Sequence, residues 1–218
     1  MSDTNGTTPY DPGAAHAFPD ERLNEVLEFV EADEEITTYL EAQNVNPVLR
    51  KGYNDHGAKH IEIVRNRALR LYELLKRDGI HFNGADDQGL SEADEGVIIA
   101  LAATLHDIGH VVHRDNHAYY SIELASDILD RLLPEFYDTA DRVRMKGEVL
   151  HAMLCHETEE EPLTTEAGVI RIADALDMES GRSRIPYEQG GRGINTLSSQ
   201  AIERVELLEG DGTPVHVE

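Results

Sequence analysis

The stretch VIIALAATLHDIGH, residues 97–110, decides the fold. From Val97 to Leu105 it is apolar or small almost without a break, so it keeps no face for water. A run of this kind is a buried helix or a buried strand. The alanines, and a start as early as Ser91, favour helix. Ser91 with Asp94 three residues on resembles a capping box. The run ends on His106-Asp107, and an imidazole and a carboxylate at a buried helix end both need a partner. One divalent ion, or a pair, satisfies both. Neutral imidazole offers nitrogen, and a carboxylate offers charge and can bridge two ions.

Working outward, helices are expected on both sides. Residues 1–18 are rich in Thr, Gly, Pro and Asp and read as a disordered arm. Pro19-Asp20 opens a helix with Leu23, Val26, Leu27 and Val30 on one face, and a short helix follows over 34–43. Residues 44–57, with Pro47 and Gly52, read as a loop. Ile61, Val64, Ala68, Leu71 and Leu75 repeat at helical spacing and predict an amphipathic helix. Residues 81–90 and 106–117 read as loops, and 118–133, 139–155 and 165–179 as helices. In the tail, Val205 and Leu207 alternate with charged residues before Gly210-Asp211-Gly212-Thr213, Val215 and Val217, a hairpin pattern. The tail stops in mid-strand, as a truncated extension would. The fold class is therefore mainly α: a helical bundle over 19–185 with a small β-hairpin C-terminal extension over 186–218.

Composition bounds the function. The 218 residues hold 43 acidic and 19 basic side chains, a net charge of −24. That balance excludes a general nucleic-acid-coating protein, which needs a basic surface. The acid is spread along the chain, Lys is rare beside Arg, and Trp is absent, a balance similar to proteins of salt-accumulating halophilic archaea. At molar salt the Debye length is about 3 Å, so such self-repulsion becomes tolerable. The single cysteine, Cys155, fits a reducing cytoplasm. The N-terminus has no secretory pattern, and no apolar run reaches the roughly 20 residues that span a bilayer.

Eleven histidines occur, four of them at His106, His110, His113 and His117. His60 opens the amphipathic helix on its core-facing stripe. Asp174 lies inside VIRIADAL, where an unpaired carboxylate is costly, and Asp177 three residues on either supports it or is exposed. His60, His106-Asp107 and Asp174, in that order, resemble the HD superfamily of metal-dependent phosphohydrolases. The matching stretches are HIEIVRNRALRLYELL, LAATLHDIGH and VIRIADALD, which spread the resemblance over roughly residues 53–180. HRDNHAYYSIELASDIL and EPLTTEAGVIRIADALDMESGRSRIPY further resemble a mainly archaeal branch with a β-rich C-terminal extension.

The resemblance implies that His60, His106, Asp107 and Asp174 bind a first metal and that Asp107 bridges to a second. For that second ion the candidates are His117, His156 and His151. His151 and Cys155 share a helix face and read equally as a core-lining pair. In the related HD-GYP branch paired histidines precede a glutamate, and Cys155-His156-Glu157 keeps one of them. The Gly-Tyr-Pro signature is missing, so cyclic-di-GMP is not implied. His56, four residues before His60, is a rival for the first ligand. His110 is a candidate catalytic residue beside Asp107, steadying phosphoryl charge or protonating a leaving oxygen. Its bland alternative is an exposed loop histidine. Lys59, Arg182 and Arg184 are candidate substrate contacts, since cations bind phosphate. Mixed N and O ligands suit Mn, Fe, Co, Ni or Zn over Ca, with Mg less suited. The expected partner is a phosphorylated small molecule, a nucleotide or similar, with self-association left open. A nucleotide-sensing module without catalysis and a closed structural-metal site are the rivals.

Overall fold

The computed structural model describes residues 20–157, 159–178 and 202–218. Helix α5, Glu92–Leu105, is its axis. Asp94 closes the capping box, its Oδ2 accepting from the Ser91 amide at 2.8 Å and hydroxyl at 2.7 Å. From Asp94 to Leu105 every residue is buried, as the uninterrupted apolar run requires. Burying each Leu or Ile contributes roughly 1.5–3 kcal/mol. Around α5 stand α1 (Glu21–Ala32), α3 (Ala58–Arg77), α7 (Thr139–Leu154) and α8 (Thr165–Ala175). Helix α2 (Glu34–Ala42) follows α1 directly: Asp33 accepts from the Ile36 amide and so caps its start. Helix α6 (His117–Leu132) packs on α7 and on the turn after α5.

Three expected loops are partly ordered. Residues Val45–Arg50 form a π-helical turn with Pro47 and Val48 buried. Within 81–90 lies a short α4, Asn83–Gln88. Its first amides, Asn83 and Gly84, donate to the Glu166 carboxylate of α8, a cap that local sequence does not supply. After Asp107 the chain makes a 3₁₀ turn, Ile108–Val111. Helix α8 ends four residues before the expected end, because the chain turns at Leu176.

The tail forms the expected hairpin. Strand β1 (Leu207–Glu209) pairs antiparallel with β2 (Val215–Val217) in the register Leu207↔Val217 and Glu209↔Val215. Leu207 is buried against α3, and Arg70 donates to its carbonyl. The proposed arm and the boundary at 185/186 lie outside the described residues. Among the described residues no helix is long and apolar enough to cross a membrane.

Candidate metal centre

At the C-terminal end of α5 the chain gathers imidazoles around one carboxylate. Asp107 is almost fully buried, and its two oxygens face different sets. Oδ2 lies 2.8 Å from His56 Nδ1, 3.3 Å from His60 Nε2 and 3.6 Å from His106 Nε2. Oδ1 lies 3.1 Å from His117 Nε2 and 3.6 Å from both His110 Nε2 and His156 Nε2. Asp174 Oδ1 closes one side, 3.4 Å from His60 Nε2 and 4.0 Å from His106 Nε2. On the opposite side Glu157 reaches to 3.4 Å from His117 Nε2.

Four rings are held in the same sense. His106 Nδ1 donates to the Ala103 carbonyl at 2.8 Å, His117 Nδ1 to Arg114 at 2.9 Å and His156 Nδ1 to Met153 at 2.6 Å. For His60 the acceptor is Asp177, 2.6 Å away. A proton fixed on Nδ1 leaves the Nε2 lone pair directed inward. The Nε2 atoms of His117 and His156 then face each other at 3.0 Å, a contact that needs a proton or a metal ion between them. His106 Nε2 is buried without a hydrogen bond, and so are both nitrogens of His110. Buried acceptors arranged like this need a cation among them, a proton or a metal ion. Nitrogen and carboxylate donors fit a divalent transition metal, and among the described residues five overlapping groups of three such residues lie within ligand reach of one another.

Electrostatics favour the same guest. Burial pushes the Asp107 carboxyl up, but the imidazoles of His106, His56 and His110 outweigh it and hold it well below the usual range. Burial pushes His110 down to about 2 and, with His106 beside it, His156 down to about 4. Burial also depresses His106. In His117 the contact with Asp107 overcomes burial and raises the ring. The centre is thus a set of mostly neutral imidazoles around carboxylates, which attracts a divalent cation.

The other candidates separate clearly. His110 is fully buried, stacked on His117 at 4.0 Å between centroids, which excludes the exposed-loop alternative. His151 points away: its Nε2 accepts from the Leu163 amide at 3.1 Å and its Nδ1 lies 3.6 Å from Cys155 Sγ. His113 is exposed beside Asp115. Lys59 is exposed and pairs with Glu62, and Arg182 and Arg184 lie outside the described residues.

In the sequence His56 is only a rival to His60 for the first ligand, yet it joins His60 at the same carboxylate oxygen. The available signal was its four-residue spacing from His60. Its turn is pinned from afar: the Asn44 side chain accepts from the His56 amide at 2.8 Å, and Gln43 donates to its carbonyl. Gly57 sits so close to Asn44 that a Cβ there would collide. Gly109 allows the same closeness on the other side, where a Cβ would strike the His117 carbonyl and the Ser121 amide. Arg67, buried on the α3 stripe behind His60, is a second residue that the sequence reading lacks, although a charge on a core-facing position is a readable signal.

A helical protein whose buried centre gathers imidazole around a shared carboxylate has the donor set of a divalent-metal site. Residues 54–179 match the HD domain family, and the chain belongs to that family. HD domains bind divalent metals and are in general metal-dependent hydrolases. The chain is also similar to the uncharacterized protein MJ1020 of Methanocaldococcus jannaschii, 42% identical over 186 residues, covering 85% of this chain and 72% of that protein. No solved structure matches it.

Proposed function

We propose that this chain is a metal-dependent phosphohydrolase, a phosphatase or phosphodiesterase acting on a nucleotide or similar small phosphate ester. The observation that carries this reading is the two-sided environment of Asp107, three imidazoles at each carboxylate oxygen. His60, His106, Asp107 and Asp174 would hold one ion, and Asp107, His117 and His156 a second. Mn, Fe, Co, Ni or Zn suits this donor set. When bound, such ions supply Lewis acidity and lower the pKa of water, the requirements of phosphoryl transfer.

The protein's own part is arrangement. Backbone carbonyls fix three rings from behind, so their Nε2 atoms are preorganised rather than recruited. Asp174, at 23% side-chain exposure, and Glu157, at 48%, mark where the centre opens to solvent. An ester would enter there. His110 is neutral and can donate one hydrogen bond to phosphoryl or leaving oxygen, while Lys59, Arg182 and Arg184 would meet the anion outside. A reducing cytoplasm and high salt are the proposed working conditions.

A panel of nucleotides and phosphate mono- and diesters, assayed with manganese at molar salt, tests the reading. Hydrolysis by the wild-type chain is expected, and Asp107→Ala should lose at least about two orders of magnitude. Full metal loading with no hydrolysis of any ester would sink it, and so would an Asp107→Ala variant as active as wild type.

A further inference from the structure

The imidazole of His60 is gripped from behind by charge. Its Nδ1 lies 2.6 Å from Asp177 Oδ2, and Asp177 Oδ1 lies 3.3 Å from Arg67 Nη1. That same guanidinium nitrogen donates to the Leu176 carbonyl at 2.9 Å. His60, Asp177 and Arg67 are all buried. Arg67 stands two turns along α3 from His60, on the same side of the helix. On the facing segment α8 stops at Ala175, and the Asp177 amide donates back to the Asp174 carbonyl at 3.0 Å. This turn places two carboxylates of one segment on opposite sides of a single imidazole. Asp174 faces Nε2 at 3.4 Å while Asp177 holds Nδ1.

Stability alone is a weak reason for this arrangement. Desolvating a buried ion pair costs about as much as its attraction returns, so an apolar pair of equal volume is often no worse. Carboxylate on the rear nitrogen of an imidazole has a more specific effect: it fixes the tautomer and ring angle and raises the basicity of the front nitrogen. His106, His117 and His156 are held by neutral backbone carbonyls instead. We propose that Asp177, itself held by Arg67, is a positioning residue that keeps His60 as the Nδ1–H tautomer and makes its Nε2 the strongest nitrogen donor to the first metal. This rests on the metal reading above.

Manganese affinity measured by calorimetry on the full chain tests it, alongside the melting temperature without metal and the His60 ring tautomer by ¹⁵N NMR. Asp177→Asn keeps the shape and removes the charge. Asp177→Asn combined with Arg67→Met also removes the guanidinium that would otherwise be stranded. Both variants are expected to bind manganese about 10–100-fold more weakly, with the double variant melting like wild type. In the metal-free wild type the His60 proton is expected on Nδ1. An Nε2–H tautomer there overturns the proposal without any variant, and so does a folded double variant with wild-type affinity. A lower melting temperature with unchanged affinity marks the pair as purely structural and overturns it too. Wild-type protein that takes up no manganese would fail the metal reading itself, whereas metal bound without hydrolysis would fail only the phosphohydrolase reading.

Discussion

On the proposed reading Asp107 serves two ions, and each role can be removed separately. His156 lies 3.6 Å from its Oδ1, and His60 lies 3.3 Å from its Oδ2. His156→Ala should therefore lose the second ion and keep the first, while His60→Ala should weaken the first. Metal counted by mass spectrometry after dialysis checks this: two ions per wild-type chain should fall to one in His156→Ala. A variant that still holds two would show that His156 is no ligand. His151→Ala, whose ring is occupied by the Leu163 amide and Cys155, should leave the count unchanged. The order His60, His106-Asp107 and Asp174 came from the resemblance to the HD family, which those three stretches of sequence carry. Sequence put His117 ahead of His156 and His151 for a second ion, but which of these rings reaches the centre depends on how α6 and the end of α7 pack.

At the scale of elements, α5 is the rod that presents His106-Asp107, and its N-terminus is anchored by Asp94. Burial pushes this carboxyl up, but hydrogen bonds from Ser91, Tyr137 and Arg22 outweigh it and hold it below its ordinary value. A depressed carboxylate stabilises the fold above its unfolded pKa and loses that contribution as pH falls through the folded one. The stability gap between wild type and Asp94→Asn in urea should thus be widest near neutrality and close as pH drops below about 4. A gap independent of pH would refute this. Gly109 joins the α5 turn to the start of α6, its amide donating to Ser121 Oγ at 2.8 Å. Gly109→Ala must push backbone apart, so it should cost about 1–3 kcal/mol or more in urea unfolding and disturb the ring of His117. Equal stability would mean the turn can yield. Such close approaches are invisible in sequence: a glycine at a loop start reads as a flexible turn, and only the docked α6 shows what fills the space.

For the whole molecule, a net charge of −24 makes self-repulsion a term in stability. Melting temperature should rise as salt goes from about 0.1 M to molar, where the Debye length shrinks from about 10 Å to about 3 Å. A melting point indifferent to salt would remove the halophilic reading. Adding manganese should raise it further, since an ion at 100 times its Kd stabilises the folded state by about 2.7 kcal/mol. The helical class, the buried α5 run and the tail hairpin were legible in the chain itself, while the proposed His60/His106/Asp107/Asp174 ligand set came from the resemblance to the HD family. Periodicity, caps and turn residues are local, and one-dimensional order preserves them. What only the tertiary structure decided is the company those residues keep. His56 and His60 share one oxygen of Asp107, His110 and His117 stack beside the other, and Asp177 with Arg67 stands behind His60. These contacts join residues far apart in sequence, and their distances follow from helix packing, which no local pattern encodes.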